Sequence, residues 1–164
     1  MSDPKDFVRM RARFLIVDDN DLVRRGLRTV FQLNPAWEVH DAPDGLAALE
    51  SVKRINPDVV VMDFQMPGMD GIQASRRILE IAPSVIIVMF TQHASPELER
   101  YAHGVGIRSV VSKTDAFSMV RLIETLLLSS GSSSDIAFAA KEKESPINDP
   151  EKPAIHQNST LAKK

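Results

Sequence analysis

A chain of 164 residues, 43% of them apolar and 26% charged, is long enough for one globular domain with a sizeable core and too short for two large ones. Its net charge of −2 supplies no electrostatic reason for non-specific attraction to nucleic acid or to a membrane surface. With no cysteine, disulfides, thiolate nucleophiles and cysteine metal sites are excluded. No run approaches the roughly 20 apolar residues that span a bilayer. Arg9, Arg11 and Arg13 precede an apolar stretch at 14–17, but Asp18-Asp19-Asn20-Asp21 closes it after four residues, far short of a secretory core. A cytoplasmic location is the expectation.

Taken in order, the first apolar run is 14–17, and residues 21–33 then place Leu22, Leu27, Val30 and Phe31 near one helical stripe. A second run at 37–40 leads into 44–54, where Leu46, Leu49 and Val52 recur likewise. The third run, 59–62, precedes 71–81 with Ile72, Ile78, Leu79 and Ile81. After the fourth run, 85–90, Ser95-Pro96-Glu97 reads as a cap, a first-turn proline and a first-turn acid, opening a helix to about His103. The fifth run, 107–111, is followed by the strongest helical pattern, 115–128, with Phe117, Val120, Ile123 and Leu127 suited to the core face and Met119, Leu122 and Leu126 to one side.

The five runs are rich in Val and Ile and mostly non-alternating, as in parallel strands buried on both faces. Strand–helix alternation five times over predicts an α/β fold: a doubly wound, five-stranded parallel sheet with helices on both faces. Beyond it, Ser129-Ser130-Gly131-Ser132-Ser133-Ser134 has linker composition, and the remainder lacks sustained periodicity. The expected division is an arm at 1–11, a domain at 12–128 and a flexible, mostly disordered tail at 129–164.

Open parallel sheets gather function at the carboxyl ends of their strands. There stand Asp18-Asp19, Asp63, Thr91 and Lys113. Three carboxylates held together repel unless a cation neutralises them, and an all-oxygen set without His or Cys favours a hard ion, here Mg²⁺. A lysine ammonium suits a phosphoryl oxygen, a threonine hydroxyl can donate to another, and a carboxylate can act as the nucleophile. Each residue alone has an ordinary reading as a turn former, a cap or a solvated side chain. Their joint occurrence in strand order does not.

The run Phe14 to Asp19, and the tract Pro57-Asp58-Val59-Val60-Val61-Met62-Asp63-Phe64-Gln65-Met66-Pro67-Gly68-Met69-Asp70-Gly71, closely resemble the receiver domains of bacterial two-component response regulators. The resemblance covers roughly 12–128 and implies the flavodoxin-like receiver fold. It implies Asp63 as phosphoacceptor from a histidine kinase or histidine phosphotransfer protein. It also implies Asp18, Asp19, Asp63 and the Gln65 backbone carbonyl at Mg²⁺, with Asp18 acting through water, and Thr91 and Lys113 at the phosphoryl group. Signalling is then expected through protein contacts or phosphorelay, without turnover of an external substrate. A weak homodimer through the face of the fourth helix, fifth strand and fifth helix, including Tyr101 and Val105, is also expected.

Three positions depart from the family pattern: Gln92 where a small residue is usual, Val110 where an aromatic is usual, and Thr114 where proline is usual after the lysine. Lys113-Thr114-Asp115 is nearest to receivers of LuxR-type regulators, yet residues 131–164 are too short for a helix-turn-helix output, so direct DNA binding is not expected. The alternatives are an unphosphorylated pseudo-receiver and a fragment of a DNA-binding regulator. A haloacid-dehalogenase-like phosphatase fits less well, because Asp63-Phe64-Gln65 lacks that class's second acid. His93, beside Thr91, reads equally as a loop residue or a modulator of dephosphorylation.

Overall fold

The computed structural model describes residues 11–141, with side chains through residue 130; residues 1–10 of the expected arm at 1–11, and residues 142–164 of the expected tail at 129–164, lie outside the described residues. The elements alternate without exception: β1 (Ala12–Val17), α1 (Asp21–Phe31), β2 (Trp37–Ala42), α2 (Gly45–Ile55), β3 (Val59–Met62), α3 (Gly71–Ile81), β4 (Ile86–Thr91), α4 (Pro96–Val105), β5 (Ser109–Ser112) and α5 (Ala116–Lys141). All strand pairs are parallel and the order is β2-β1-β3-β4-β5. The chain winds outward in both directions from β1, so the topological switch point lies between β1 and β3.

Strand periodicity divides the core into two layers. Leu15, Val17, Val60, Met62, Ile87 and Met89 face α2, α3 and α4. Phe14, Ile16, Val59, Val61, Val88 and Phe90 face α1 and α5. The second layer is reinforced by an aromatic cluster in which Phe14 lies 5.0 Å from Phe31 and 4.5 Å from Trp37 between ring centroids. Helix starts follow local chemistry: Asn20, Asp44, Asp70 and Ser95 each accept a first-turn backbone N–H, leaving fewer unpaired amides at each helix N-terminus.

The fifth helix differs from expectation in two ways. Phe117 is 81% exposed whereas Met119 is 0% exposed, so the inward stripe is Met119, Ile123 and Leu127. Steps of four residues connect Met119 to Ile123 and Ile123 to Leu127 as well as a step of three connects Phe117 to Val120, and only the seating of the helix on the sheet chooses between them. Leu122 and Leu126 are partly buried against the same layer, widening the core rather than forming a free flank. Leu22 and Leu46, expected on buried stripes, are likewise exposed. Secondly, α5 continues helical through the serine-rich stretch to Lys141, where composition predicted a linker. Serine costs only about 0.5 kcal/mol relative to alanine in a helix, and propagating an existing helix is far cheaper than nucleating one. The chain divides after Ser130 into two units, and the sheet and all five strands belong to the first.

The reassigned stripe has a direct stability consequence. Met119→Ala is expected to destabilise the domain by about 2–5 kcal/mol, whereas Phe117→Ala is expected to change stability by less than about 0.5 kcal/mol. Urea unfolding of both variants checks this, and equal effects would contradict the burial pattern.

Candidate functional site

The site begins with two strands that stop at the same level. The Asp63 backbone N–H donates to the Val17 carbonyl at 2.8 Å, so the β1–β3 register carries one residue past the strands and sets Asp63 beside Asp18. Neither can move far: Asp18 is 2% exposed and Asp63 5%. Asp18 Oδ1 also accepts the Asn20 backbone N–H at 2.9 Å, while Asn20 caps α1. Asp19 turns outward and is exposed. One carboxylate oxygen from each of Asp18, Asp19 and Asp63 lies within 4.8 Å of the others.

Behind Asp63 the chain returns tightly. Gly68 takes φ +79°, the left-handed region open to glycine. The Gly71 N–H then donates to the Phe64 carbonyl at 2.8 Å. A Cβ on residue 71 would sit 2.0 Å from the Asp63 carbonyl oxygen, so α3 can start against the end of β3 only with glycine there. Gln65 lies on this loop and, with Asp19, Phe64, Met66, Pro67 and Asp70, lines an open cleft of about 500 Å³.

Lys113 arrives from the far side of the sheet. Its backbone N–H donates to the Thr91 carbonyl at 2.8 Å, and its Nζ reaches Asp18 Oδ2 at 2.6 Å and Asp63 Oδ1 at 3.1 Å. Thr91 is 1% exposed, and its Oγ1 accepts the His93 backbone N–H at 3.2 Å. The sequence-selected acids and Lys113 therefore share one cluster, with Thr91 joined to it through the β4–β5 backbone. Val110 is partly buried against the α2–α4 layer, the β-branched core position its side chain suggests. Gln92 is exposed.

The charges press on one another. Burial, followed by the charge on Asp18, pushes the Asp63 carboxyl above its ordinary value, and Lys113 only partly offsets this. For Lys113 burial acts downward, but the hydrogen bonds and charges of Asp18 and Asp63 outweigh it and hold the ammonium above its ordinary value. The chemistry of the three-carboxylate set fits a hard divalent cation: oxygen donors only, repelling one another, and opening on a cleft.

One participant was not singled out from the sequence. Arg24 donates to the Asp18 backbone carbonyl at 2.8 Å, and its guanidinium also meets Asp41 at 3.2 Å and Asp21 at 3.1 Å. Arg28 pairs with the same Asp41 and donates to the Val39 carbonyl at 3.0 Å. The peptide joining the two neighbouring acids is thus held by α1 against the end of β2. An arginine three residues after an acid on a helix is a common surface pattern, so the sequence carried no distinguishing signal.

An open parallel sheet of order 2-1-3-4-5 with acids at its switch point defines the flavodoxin-like receiver class of signalling domain. The sequence matches the response regulator receiver domain family over residues 14–127, and the chain belongs to that family. It is similar to the transcriptional regulatory protein DegU of Brevibacillus brevis, 28% identical over 71% of this chain and 50% of that protein. It is similar also to a protein-glutamate methylesterase/protein-glutamine glutaminase of Xanthomonas campestris pv. campestris, 32% identical over 88% of this chain and 40% of that protein. The chain thus spans half or less of these relatives. Among solved structures, a LuxR-family two-component response regulator from Aurantimonas sp. SI85-9A1 is 33% identical with a TM-score of 0.69, over 73% of this chain and 87% of that one. The NarL receiver domain of Mycobacterium tuberculosis is 28% identical with a TM-score of 0.63, over 70% and 97%.

The Arg24 contacts carry a measurable expectation. Arg24→Met should cost about 1.5–3 kcal/mol, the usual value of hydrogen bonds to charged groups, and should move the Asp19 carboxyl resonance in NMR. Arg25→Met, exposed on the same helix, should cost less than about 0.5 kcal/mol and leave that resonance in place.

Proposed function

We propose that this receiver accepts a phosphoryl group on Asp63 from a phosphohistidine of a histidine kinase or histidine phosphotransfer protein, with Mg²⁺. The observation that carries the reading is the Lys113 ammonium, 2.6 Å from Asp18 and 3.1 Å from Asp63, with Asp19 open beside them. In this reading Asp18, Asp19, Asp63 and the Gln65 backbone carbonyl hold Mg²⁺. Bound there, the ion supplies neutralisation of charge on the acids and the incoming phosphoryl oxygens.

The chain's own residues do the rest. An Asp63 oxygen attacks phosphorus, the phosphorus–nitrogen bond of the donor imidazole breaks, and an acyl phosphate forms while the imidazole leaves with the electron pair. Lys113 exchanges its contact with Asp63 for a phosphoryl oxygen, retaining Asp18 as its anchor. The Thr91 hydroxyl gives up the His93 N–H and donates to another phosphoryl oxygen. Reorientation of Thr91 and Lys113 pulls on β4 and β5, and through them on α4 and α5. The output is read by protein contacts, including a weak homodimer through the α4–β5–α5 face where Tyr101 is exposed and Val105 half-buried. The protein acts as an acceptor that is reset by hydrolysis, not as a turnover enzyme.

Asp63→Asn preserves size and removes the nucleophile. It is expected to fold and to gain no phosphoryl mass of about 80 Da from acetyl phosphate and Mg²⁺, where the parent chain does; persistence of that mass in the variant would assign the acceptor elsewhere. The metal roles are tested separately by calorimetry. Asp19→Ala should lose more Mg²⁺ affinity than Asp18→Ala, since Asp18 is already committed to Lys113 and the Asn20 N–H while Asp19 faces the cleft. The reverse order would exchange the two roles.

A further inference from the structure

The flank of α5 nearest the end of α1 carries four residues in one stripe. Phe117, Arg121, Glu124 and Leu128 follow one another at steps of four, three and four, which on an α-helix places them within an arc of about 60°. The stripe stands clear of the buried row Met119, Ile123 and Leu127, and on the other flank from the partly buried Leu122 and Leu126. Phe117 is 81% exposed and Leu128 42%. Phe117, Arg121 and Glu124 also border an apolar groove of about 660 Å³, whose opposite wall is Val30, Leu33 and Trp37. Apolar surface of this kind, rimmed by charge, marks an interaction site.

The order within the stripe selects its occupant. Read from either end it runs apolar, charged, charged, apolar, and the two charges are of opposite sign. Neither Arg121 nor Glu124 forms an ion pair among the described residues. A two-fold axis through the middle of the stripe makes two α5 helices antiparallel. Arg121 of each copy then meets Glu124 of the other, and Phe117 of each meets Leu128 of the other, as a self-complementary two-fold interface requires. A parallel pair would set Arg121 against Arg121 and Glu124 against Glu124, and such like-charge contacts reject that arrangement. The charges thus favour a second copy of this chain, in one orientation. From Phe117 to Leu128 the stripe is only ~16 Å long, short for a stable interface of about 800 Å² per partner, so the association is weak.

We propose that this chain forms a weak two-fold homodimer in which the α5 stripes of two copies pack antiparallel, at the mouth of the groove between α1 and α5. The surface lies on the other flank of α5 from the α4–β5–α5 face. It is independent of the phosphoryl chemistry at Asp63, so either can fail alone.

Sedimentation of the unphosphorylated full chain is expected to show a monomer–dimer equilibrium at high micromolar concentration. Arg121→Glu and Glu124→Arg each turn both symmetric contacts into like-charge pairs, and each should weaken association about tenfold with unchanged far-UV circular dichroism. The double exchange Arg121→Glu/Glu124→Arg restores both pairs and should return association to the parent level. An equimolar mixture of the two single variants should dimerise as well, because each then meets the opposite charge on the other. A strict monomer at that concentration, a dimer indifferent to the single reversals, or a double exchange that restores nothing would each overturn the proposal. A dimer lost on Tyr101→Asp but untouched by the reversals would overturn it too, assigning self-association to the α4–β5–α5 face.

Discussion

Two buried carboxylates, Asp18 and Asp63, share one ammonium, and the arrangement of the sheet can be understood as what that sharing requires. Burial, and after it the charge on Asp18, raises the proton affinity of Asp63. Lys113 relieves part of the repulsion from a position 95 residues after Asp18, and it can do so only if β5 ends level with β4, β3 and β1. The parallel registers and the Lys113 N–H bond to the Thr91 carbonyl fix that level. A buried ion pair is weak support for stability by itself, because desolvation offsets most of the attraction.

The remainder of the structure keeps this cluster in place. Central strands β1, β3 and β4 are almost wholly buried, with one layer of helices on each face, so the strand ends cannot drift without opening two cores at once. The close approach at Gly71 fixes the start of α3 against Asp63, and Arg24 fixes the peptide between Asp18 and Asp19 from the other side. The acids are therefore held through their backbones while the Asp19 side chain stays open to the cleft. That combination leaves a rigid frame with one exposed carboxylate facing the cleft.

The α1–α5 face has a different character. Its inner layer is closed by Leu27, Phe31, Met119, Ile123 and Leu127 around the aromatic cluster, yet its outer margin leaves Leu33 and Phe117 uncovered.

Much of this was legible in the sequence because it depends on local spacing. Short runs of Val and Ile bounded by turn-forming residues read as buried strands, and alternation with 3.6-residue stripes leaves few topologies besides a doubly wound sheet. Asp18, Asp19, Asp63, Thr91 and Lys113 stand out together because each lies within two residues past the end of an apolar run, and open parallel sheets bring such positions to one edge. Other features depended on how finished elements pack. Whether Phe117 or Met119 turns inward is a rotation of one helix about its axis, which either spacing permits and only contact with β1, β3 and β4 decides. The role of Arg24 required Asp18 and Asp41, which the sheet brings together from two strands. The sequence by itself therefore determined which residues end the strands, since that follows from patterns a few residues long. The tertiary structure decided which side chains those ends can reach, since a hydrogen bond or an ion pair is settled by distances that no local pattern contains.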